Sequence, residues 1–296
     1  MYHFLQNKLD TLLDHRATNL GDRIKSRIHF FEWEDQPWFP ELFRSFITDH
    51  LVFHARRLFL PLAPKLSETL KTTGNTKIVD LCSGSGGPLP VLLSECSDTL
   101  NLKVTATLTD LYPNIETLEQ TKVKSDGAID YQAESINAMN CPDSLKGMRT
   151  LFTALHHFRP DDAKKILADA VNKRVAIGAF EIQERNIFKL LITPIIIFLS
   201  AFILTPFVGR MTFSRFVFTY LIPLMPFFYT WDGVVSCLRT YYPKELDELT
   251  IGLHCEGYRW ESGKIPATGY IGPYNITYLI GVPVNPSTKK ATKEAT

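Results

Sequence analysis

The order of apolar and polar positions in the middle of the chain predicts strands that alternate with helices. Short apolar runs that end in polar or glycine-containing turns predict five strands. They cover residues 78–81, 103–109, 128–133, 149–155 and 175–180. Two further runs, 258–266 and 274–283, predict a closing hairpin. Strands that alternate with helices are typical of an α/β fold with a parallel sheet.

The pattern before the first strand is helical. Leucines at 5, 9, 12 and 13 have the spacing of an amphipathic helix, and a second helix is predicted at 41–60. Between these helices, residues 30–40 combine aromatic side chains, acids and two prolines, which a regular helix does not accommodate. We therefore expect a helical cap over residues 1–70.

Two uncharged apolar runs follow the fifth predicted strand, at 190–209 and 216–231. Each has about the length of a membrane span, which needs roughly 20 residues. A single crossing is excluded, because the predicted hairpin at the end of the chain must join the same sheet as the earlier strands. The segment 187–233 is thus predicted as an apolar helical insertion.

Three arrangements of this insertion remain open. It forms a monotopic hairpin in the interface of a membrane, a soluble lid or dimer face, or two crossings. Two crossings would place Arg210 and Arg215 at the far tip, against the tendency of basic residues to stay on the cytoplasmic side. Prolines 194 and 206 also suit a bent, shallow insertion, so we favour the monotopic hairpin.

Composition narrows the classes of function. The 296 residues carry a net charge of +1, so we expect no strongly basic face for nucleic acid. The five cysteines lack C-x-x-C spacing, which is typical of reduced thiols and predicts neither disulfides nor a metal site. The first residues lack the basic start of a signal peptide. We expect the protein in the cytoplasm or on the cytoplasmic side of a membrane.

The turn after the first predicted strand is the most informative segment, with the sequence Asp80-Leu-Cys82-Ser83-Gly84-Ser-Gly86-Gly87. A strand, a glycine-rich turn and a helix begin a βαβ unit that binds nucleotide-like ligands. Leu89 stands where a dinucleotide-binding turn has its last glycine, which disfavours an NAD-dependent oxidoreductase. An ordinary tight turn is the alternative.

This turn resembles motif I of the class I S-adenosylmethionine (SAM) methyltransferases, an acidic residue followed by G-x-G-x-G. Asp80, Gly84 and Gly86 match that motif, and Cys82 replaces its first glycine. The resemblance covers residues 76–283 apart from the insertion. It implies a Rossmann-like, seven-stranded, mostly parallel sheet with helices on both faces, and SAM as the cofactor. It also implies a SAM-binding core at 71–186, completed by 234–284. The tail at 285–296 is polar and contains lysines, so we expect it to be disordered.

Further cofactor contacts are predicted after the next two strands. Asp110 follows the glycine turn by roughly two dozen residues, where an acid accepts hydrogen bonds from ribose hydroxyls. Asp110 matches motif II of the family, with a helix cap as the alternative, and neighbouring Leu111 is also expected to bind the cofactor. The resemblance assigns Glu134 or Ser135, or neighbouring Asn137, to the adenine.

Candidate catalytic residues follow the fourth and fifth strands. Ligands of open α/β sheets bind at the carboxyl ends of the strands, where His156 and His157 stand. A neutral imidazole takes a proton from a hydroxyl, and we slightly prefer His156 as that base. The other histidine is expected to be packed in the core. Glu181 ends the fifth strand, and either orients an acceptor or pairs with Arg185.

Asp232 follows the second apolar run, where an unsatisfied acid is costly to bury. It either binds the acceptor or a cation such as Arg239, or caps a helix in solvent. By resemblance the aromatic stretch 30–40 is a lid over the site, or else it anchors the cap.

The resulting hypothesis is SAM-dependent methyl transfer to a small apolar or lipid-like acceptor, at a hydroxyl. One alternative is a non-catalytic, membrane-associated SAM-binding protein. Another is a serine hydrolase that uses Ser85, although Ser83 stands where G-x-S-x-G needs glycine. A homodimer stays open.

Overall fold

The computed structural model describes residues 27–100, 103–269 and 272–284. The helix predicted at 5–13 and the tail predicted at 285–296 lie outside the described residues. The described chain divides into two compact units. The sheet unit holds residues 48–182 and the part from 242 onward, and the helical unit holds residues 27–47 and 183–241.

The sheet unit is built on seven strands in the order β3-β2-β1-β4-β5-β7-β6. They are β1 (Lys77–Asp80), β2 (Thr105–Leu108), β3 (Ile129–Tyr131), β4 (Met148–Phe152), β5 (Ile177–Glu181), β6 (Tyr258–Gly269) and β7 (Gly272–Pro283). The first five strands are parallel, and β7 runs antiparallel to β5 and β6. The predicted Rossmann-like sheet is confirmed. The strand order reverses between β1 and β4, which is where open α/β sheets bind ligands.

Helices connect the parallel strands and precede β1. They are α1 (Glu41–Leu58), α2 (Ala63–Thr73), α3 (Leu89–Leu100), α4 (Ile115–Lys124), α5 (Pro160–Asn172) and, before the hairpin, α8 (Pro243–Thr250). The hairpin strands have 12 residues each, which is longer than predicted.

The core of the sheet unit explains why its boundary differs from the predicted one. Phe59, Leu62 and Leu66 are fully buried in the same hydrophobic cluster as Ile78 of β1. Residues 48–70, predicted as part of a separate cap, therefore belong with the sheet.

The helical unit contains the predicted apolar insertion. It comprises α6 (Ile187–Leu204), a short helical segment (Phe213–Leu221) and α7 (Leu224–Arg239). The Asn186 side chain caps α6 by accepting hydrogen bonds from the first-turn amides. Residues 27–47 belong to the same unit, because Phe39 and Phe46 pack in one cluster with Met225 and Tyr229.

Candidate functional site

The glycine turn after β1 is hydrogen-bonded to the strands on both of its sides. Leu81 N donates to Thr150 O of β4 at 2.8 Å, and Ser83 N donates to Thr109 O after β2 at 2.9 Å. The Ser83 hydroxyl donates to Asp80 O at 2.8 Å and accepts from Thr109 N at 3.0 Å. The turn is therefore fixed where the strand order reverses.

Two glycines of this turn have different surroundings. Gly86 has a φ of +90°, and a Cβ there would lie 3.0 Å from Leu108 Cδ1 and 3.1 Å from Thr121 Cγ2. Gly86 therefore packs the turn closely against β2 and α4. Gly84 has a φ of +53°, and a Cβ there would meet nothing within 4 Å, so its backbone borders open space. Between them, the buried Ser85 hydroxyl has no hydrogen-bond partner among the described residues.

Cys82 takes a backbone conformation that favours glycine, with a φ of +56°. The left-handed region costs other residues about 1–2 kcal/mol. Burial, and to a smaller extent the charges of Asp110 and Asp80, raise the pKa of the Cys82 thiol. The sulfur is therefore a protonated thiol at neutral pH and a poor nucleophile.

Asp80 is a buried carboxyl group behind the turn. Its Oδ1 accepts a hydrogen bond from the Thr150 hydroxyl at 2.5 Å, at the point where β1 and β4 pair. Burial raises the pKa of Asp80 to about 7, although the Thr150 hydrogen bond acts in the opposite direction. Asp80 thus supports the turn from inside the sheet.

The Asp110 carboxylate joins the end of β2 to the glycine turn. Its Oδ2 accepts from Gly84 N at 2.9 Å, and its Oδ1 accepts from Tyr112 N at 3.0 Å. The alternative role as a helix cap is wrong, because the cap of α4 is Asn114, which accepts from Thr117 N. A carboxylate has roughly four acceptor positions, so Asp110 retains capacity for a ligand.

The loop after β3 lies beside the end of β2. Ile136 N donates to Asp110 O at 2.8 Å, and the Ser135 hydroxyl donates to Leu111 O at 2.6 Å. Glu134 and Ser135 are exposed. The three predicted cofactor-binding segments therefore lie next to one another. They are the glycine turn, residues 110–111 and residues 134–135.

His156 and Glu181 form a buried pair at the ends of β4 and β5. Glu181 Oε2 lies 2.8 Å from His156 Nδ1, and Glu181 Oε1 accepts from the His156 backbone N at 3.1 Å. When Glu181 is ionised it only accepts hydrogen bonds, so His156 Nδ1 is the donor of this pair, and a neutral imidazole then has its lone pair on Nε2. Both Glu181 oxygens are engaged by His156, which differs from the predicted pairing with Arg185.

The residues around this pair include one feature that the sequence did not predict. The histidine packed in the core is His156, which is 1% exposed, so the expectation that its neighbour is the core histidine is wrong. His157 is half-buried, and its ring centroid lies 4.3 Å from that of His156. Thr153, directly after β4, has a φ of +48°. A β-branched residue is a genuine outlier in this region, and such strain clusters at functional sites. A lone threonine carries no sequence signal for it.

Solved structures resemble this chain over most of its length. The plantazolicin methyltransferase BpumL in complex with SAH matches with a TM-score of 0.50 and 13% identity, over 95% of this chain and 100% of that chain. Human N-acetylserotonin methyltransferase in complex with SAM matches at 0.48 and 13%, over 90% of this chain and 66% of that chain. An O-methyltransferase family protein from Burkholderia thailandensis matches at 0.42 and 14%, over 94% and 70%. No protein-family profile and no curated protein sequence matches.

The fold is that of the class I SAM-dependent methyltransferases. At 13% identity the comparison establishes the fold alone. The residues at this edge of the methyltransferase fold also fit an adenosyl ligand. Gly84 leaves open space at the glycine turn, and the Asp110 carboxylate that contacts this turn still has acceptor positions for ligand hydroxyls.

Asp232 belongs to the helical unit and holds the aromatic stretch. Its carboxylate accepts from Trp33 N at 2.7 Å and from Glu34 N at 3.1 Å. The predicted cap is wrong, because Asp232 is buried inside α7. Its partners are backbone amides, and the predicted cation, Arg239, forms ion pairs with Glu32 and Asp35. Asp232 thus has a structural role in this unit.

Proposed function

We propose that this chain is a SAM-dependent methyltransferase that methylates a hydroxyl of a small apolar or lipid-like acceptor, with His156 as the base. The observation that carries the proposal is the His156–Glu181 pair after β4 and at the end of β5, at the same edge of the parallel sheet as the glycine turn after β1. SAM supplies a methyl group already activated by its sulfonium.

The chemistry that remains for the protein is positioning and removal of one proton. His156 Nε2 takes the proton of the acceptor hydroxyl as the oxygen attacks. Glu181 holds the imidazole through Nδ1 and stabilises the positive charge that forms on it. Its second hydrogen bond, to the His156 backbone, fixes the turn that carries the ring.

The methyltransferase fold is the basis for the proposed cofactor contacts. These are Asp110 for the ribose, Glu134 or Ser135 for the adenine, and the turn from Cys82 to Gly86. The serine hydrolase alternative receives no support, because the Ser85 hydroxyl has no hydrogen-bond partner among the described residues that would act as its base.

Labelled-methyl transfer into fractionated cell extracts tests the proposal. With an acceptor identified in this way, His156→Asn should lower the rate by about 10²- to 10⁴-fold, the usual contribution of a general base. Its SAM affinity, measured by calorimetry, should stay within twofold of the unchanged chain. His254→Asn, at an exposed histidine of the same unit, is the matched control and should change neither value.

An unchanged rate in His156→Asn would remove His156 from the reaction, and a loss in His157→Asn alone would transfer the role to its neighbour. SAM binding without a labelled product in any extract would support the non-catalytic alternative.

A further inference from the structure

One face of α6 is covered by large apolar side chains that are at least half exposed. Six of them are between 50% and 66% exposed, namely Phe188, Leu191, Ile192, Ile195, Leu199 and Ile203. At 100° per residue these six positions fall within about a third of the helix circumference, so they lie on one side of the helix. A helix at a water-facing surface carries polar residues on this side, so the face lacks its partner.

The exposed apolar surface extends beyond α6. Thirteen of the 23 exposed large hydrophobic side chains of the described residues lie between 188 and 227. The most apolar 18-residue window of the helical stretch Ile187–Phe207 has a mean hydropathy of 2.5, and only 6% of that window is buried. It is therefore unlike the core helix of a soluble protein, which is mostly buried.

The opposite face of α6 packs against α7. A Cβ on Gly233 would lie 2.3 Å from Ile197 Cδ1, so the two helices approach closely at this level. The Tyr220 hydroxyl, before α7, donates to Phe202 O at 2.8 Å. Ala201 lies in one cluster with Tyr229, whereas Ile197 meets Gly233. Because the later residue of α6 lies with the earlier residue of α7, these two helices run antiparallel.

Polar groups cover the second half of α7. Ser236 donates to Glu32 Oε1, Arg239 forms ion pairs with Glu32 and Asp35, and Ile28 N donates to Leu238 O. Antiparallel packing places these groups level with the first half of α6. Charges and irregular backbone do not lie among lipid tails, so a bilayer does not surround α6 at this level.

We propose that the exposed face of α6 lies in the interface of a lipid bilayer as a monotopic attachment. A second copy of the chain fits less well, because protein interfaces carry about one hydrogen bond per 100–200 Å², and these six side chains offer none. The charge that ends the uncharged run, exposed Arg210, suits lipid headgroups, as do exposed Phe30 and Trp38 of the same unit. This inference goes beyond methyl transfer and does not depend on it.

Flotation of the full chain with phosphatidylcholine vesicles tests the attachment. The unchanged chain should float with the vesicles, and the double variant Ile195→Glu/Leu199→Glu should partition at least tenfold less. Val123→Glu, at a strongly exposed apolar position of α4, is the matched control and should float like the unchanged chain. Circular dichroism of all three proteins checks that the double variant is folded.

Two results would overturn the proposal. One is an unchanged chain that stays with the soluble fraction. The other is an unchanged chain that forms a dimer without lipid, with the double variant monomeric, since a second copy would then cover the face. Neither measurement uses methyl transfer, so failure here is distinct from failure of the enzymatic proposal.

The mode of insertion has its own test. Arg210→Cys, in a Cys255→Ser background that removes an exposed thiol, is treated with an impermeant maleimide outside sealed vesicles. Labelling supports the monotopic arrangement, because residue 210 then stays on the outer side. Protection that ends when the vesicles are dissolved would show a spanning hairpin and overturn it.

Discussion

Two residues that border the proposed site have backbone conformations that their side chains disfavour. Cys82 follows β1 and Thr153 follows β4, and both have φ near +50°. These strands lie on either side of the point where the strand order reverses. The surrounding hydrogen bonds, such as Thr153 N to Phe180 O at 2.9 Å, hold the strained positions in place.

Replacing Cys82 measures the strain at the first of these positions. Cys82→Gly should be more stable than Cys82→Ala by about 0.5–1 kcal/mol, since relief of left-handed strain outweighs the entropic cost of glycine. Urea unfolding gives the difference. The alanine variant removes the sulfur and keeps the Cβ, so it separates strain from lost packing. Equal stabilities would mean that the turn relaxes around either residue.

The raised pKa of Asp80 predicts that the free energy of unfolding depends on pH. Burial raises its pKa in the folded protein from 3.8 to about 7, so between these values the folded state holds a proton that the unfolded chain has lost. The contribution of this retained proton to the free energy of unfolding is complete below about pH 4 and decreases as the pH rises to 7. Asp80→Asn stays neutral and keeps an oxygen acceptor for Thr150, so its stability relative to the unchanged chain should increase from pH 5 to pH 8.

Urea unfolding at several pH values tests this dependence. Asp98→Asn, at an exposed position of α3, is the control and should give a curve parallel to that of the unchanged chain. A difference for Asp80→Asn that stays constant across the range would show that Asp80 is already ionised at pH 5.

At the scale of elements, the glycine turn joins three strands while leaving one side open. A substitution at Gly84 tests that open side, because an added methyl group meets no protein atom within 4 Å there. Gly84→Ala should lower SAM affinity at least tenfold in calorimetry, by occupying the ligand's space. Gly127→Ala is the control, since Gly127 also has a positive φ, +76°, and open surroundings, but lies in another turn. It should cost similar stability and leave affinity unchanged, and equal affinities in both variants would place the ligand elsewhere.

The strands were predictable, because each apolar run ends in a recognisable turn, whereas their order in the sheet was not predicted from the sequence. The glycine turn and Asp110 were predictable from spacing. The role of Asp232 was not, because its partners are the backbone amides of Trp33 and Glu34, about two hundred residues earlier. Backbone amides exist at nearly every residue, so no sequence pattern marks the ones that a carboxylate selects.

At the scale of the whole molecule, both units are assembled from separate stretches of chain. The helical unit combines residues 27–47 with 183–241, and the sheet unit is completed only by residues after 242. The predicted boundaries followed composition along the chain and therefore separated residues 27–47 from the insertion. Contacts such as Phe46 with Tyr229 decide the grouping, and they are invisible to a linear pattern.

The position of β7 between β5 and β6 has a consequence for biosynthesis. Glu181 of β5 pairs with Thr277, so the ribosome adds roughly a hundred residues, over about 5–20 seconds, before that edge is closed. The apolar insertion, which contains α6, is translated within this interval. The nascent protein therefore exposes its most apolar helix while the β5 edge of the sheet is still unpaired. A bilayer or a chaperone that binds this helix acts before folding is complete.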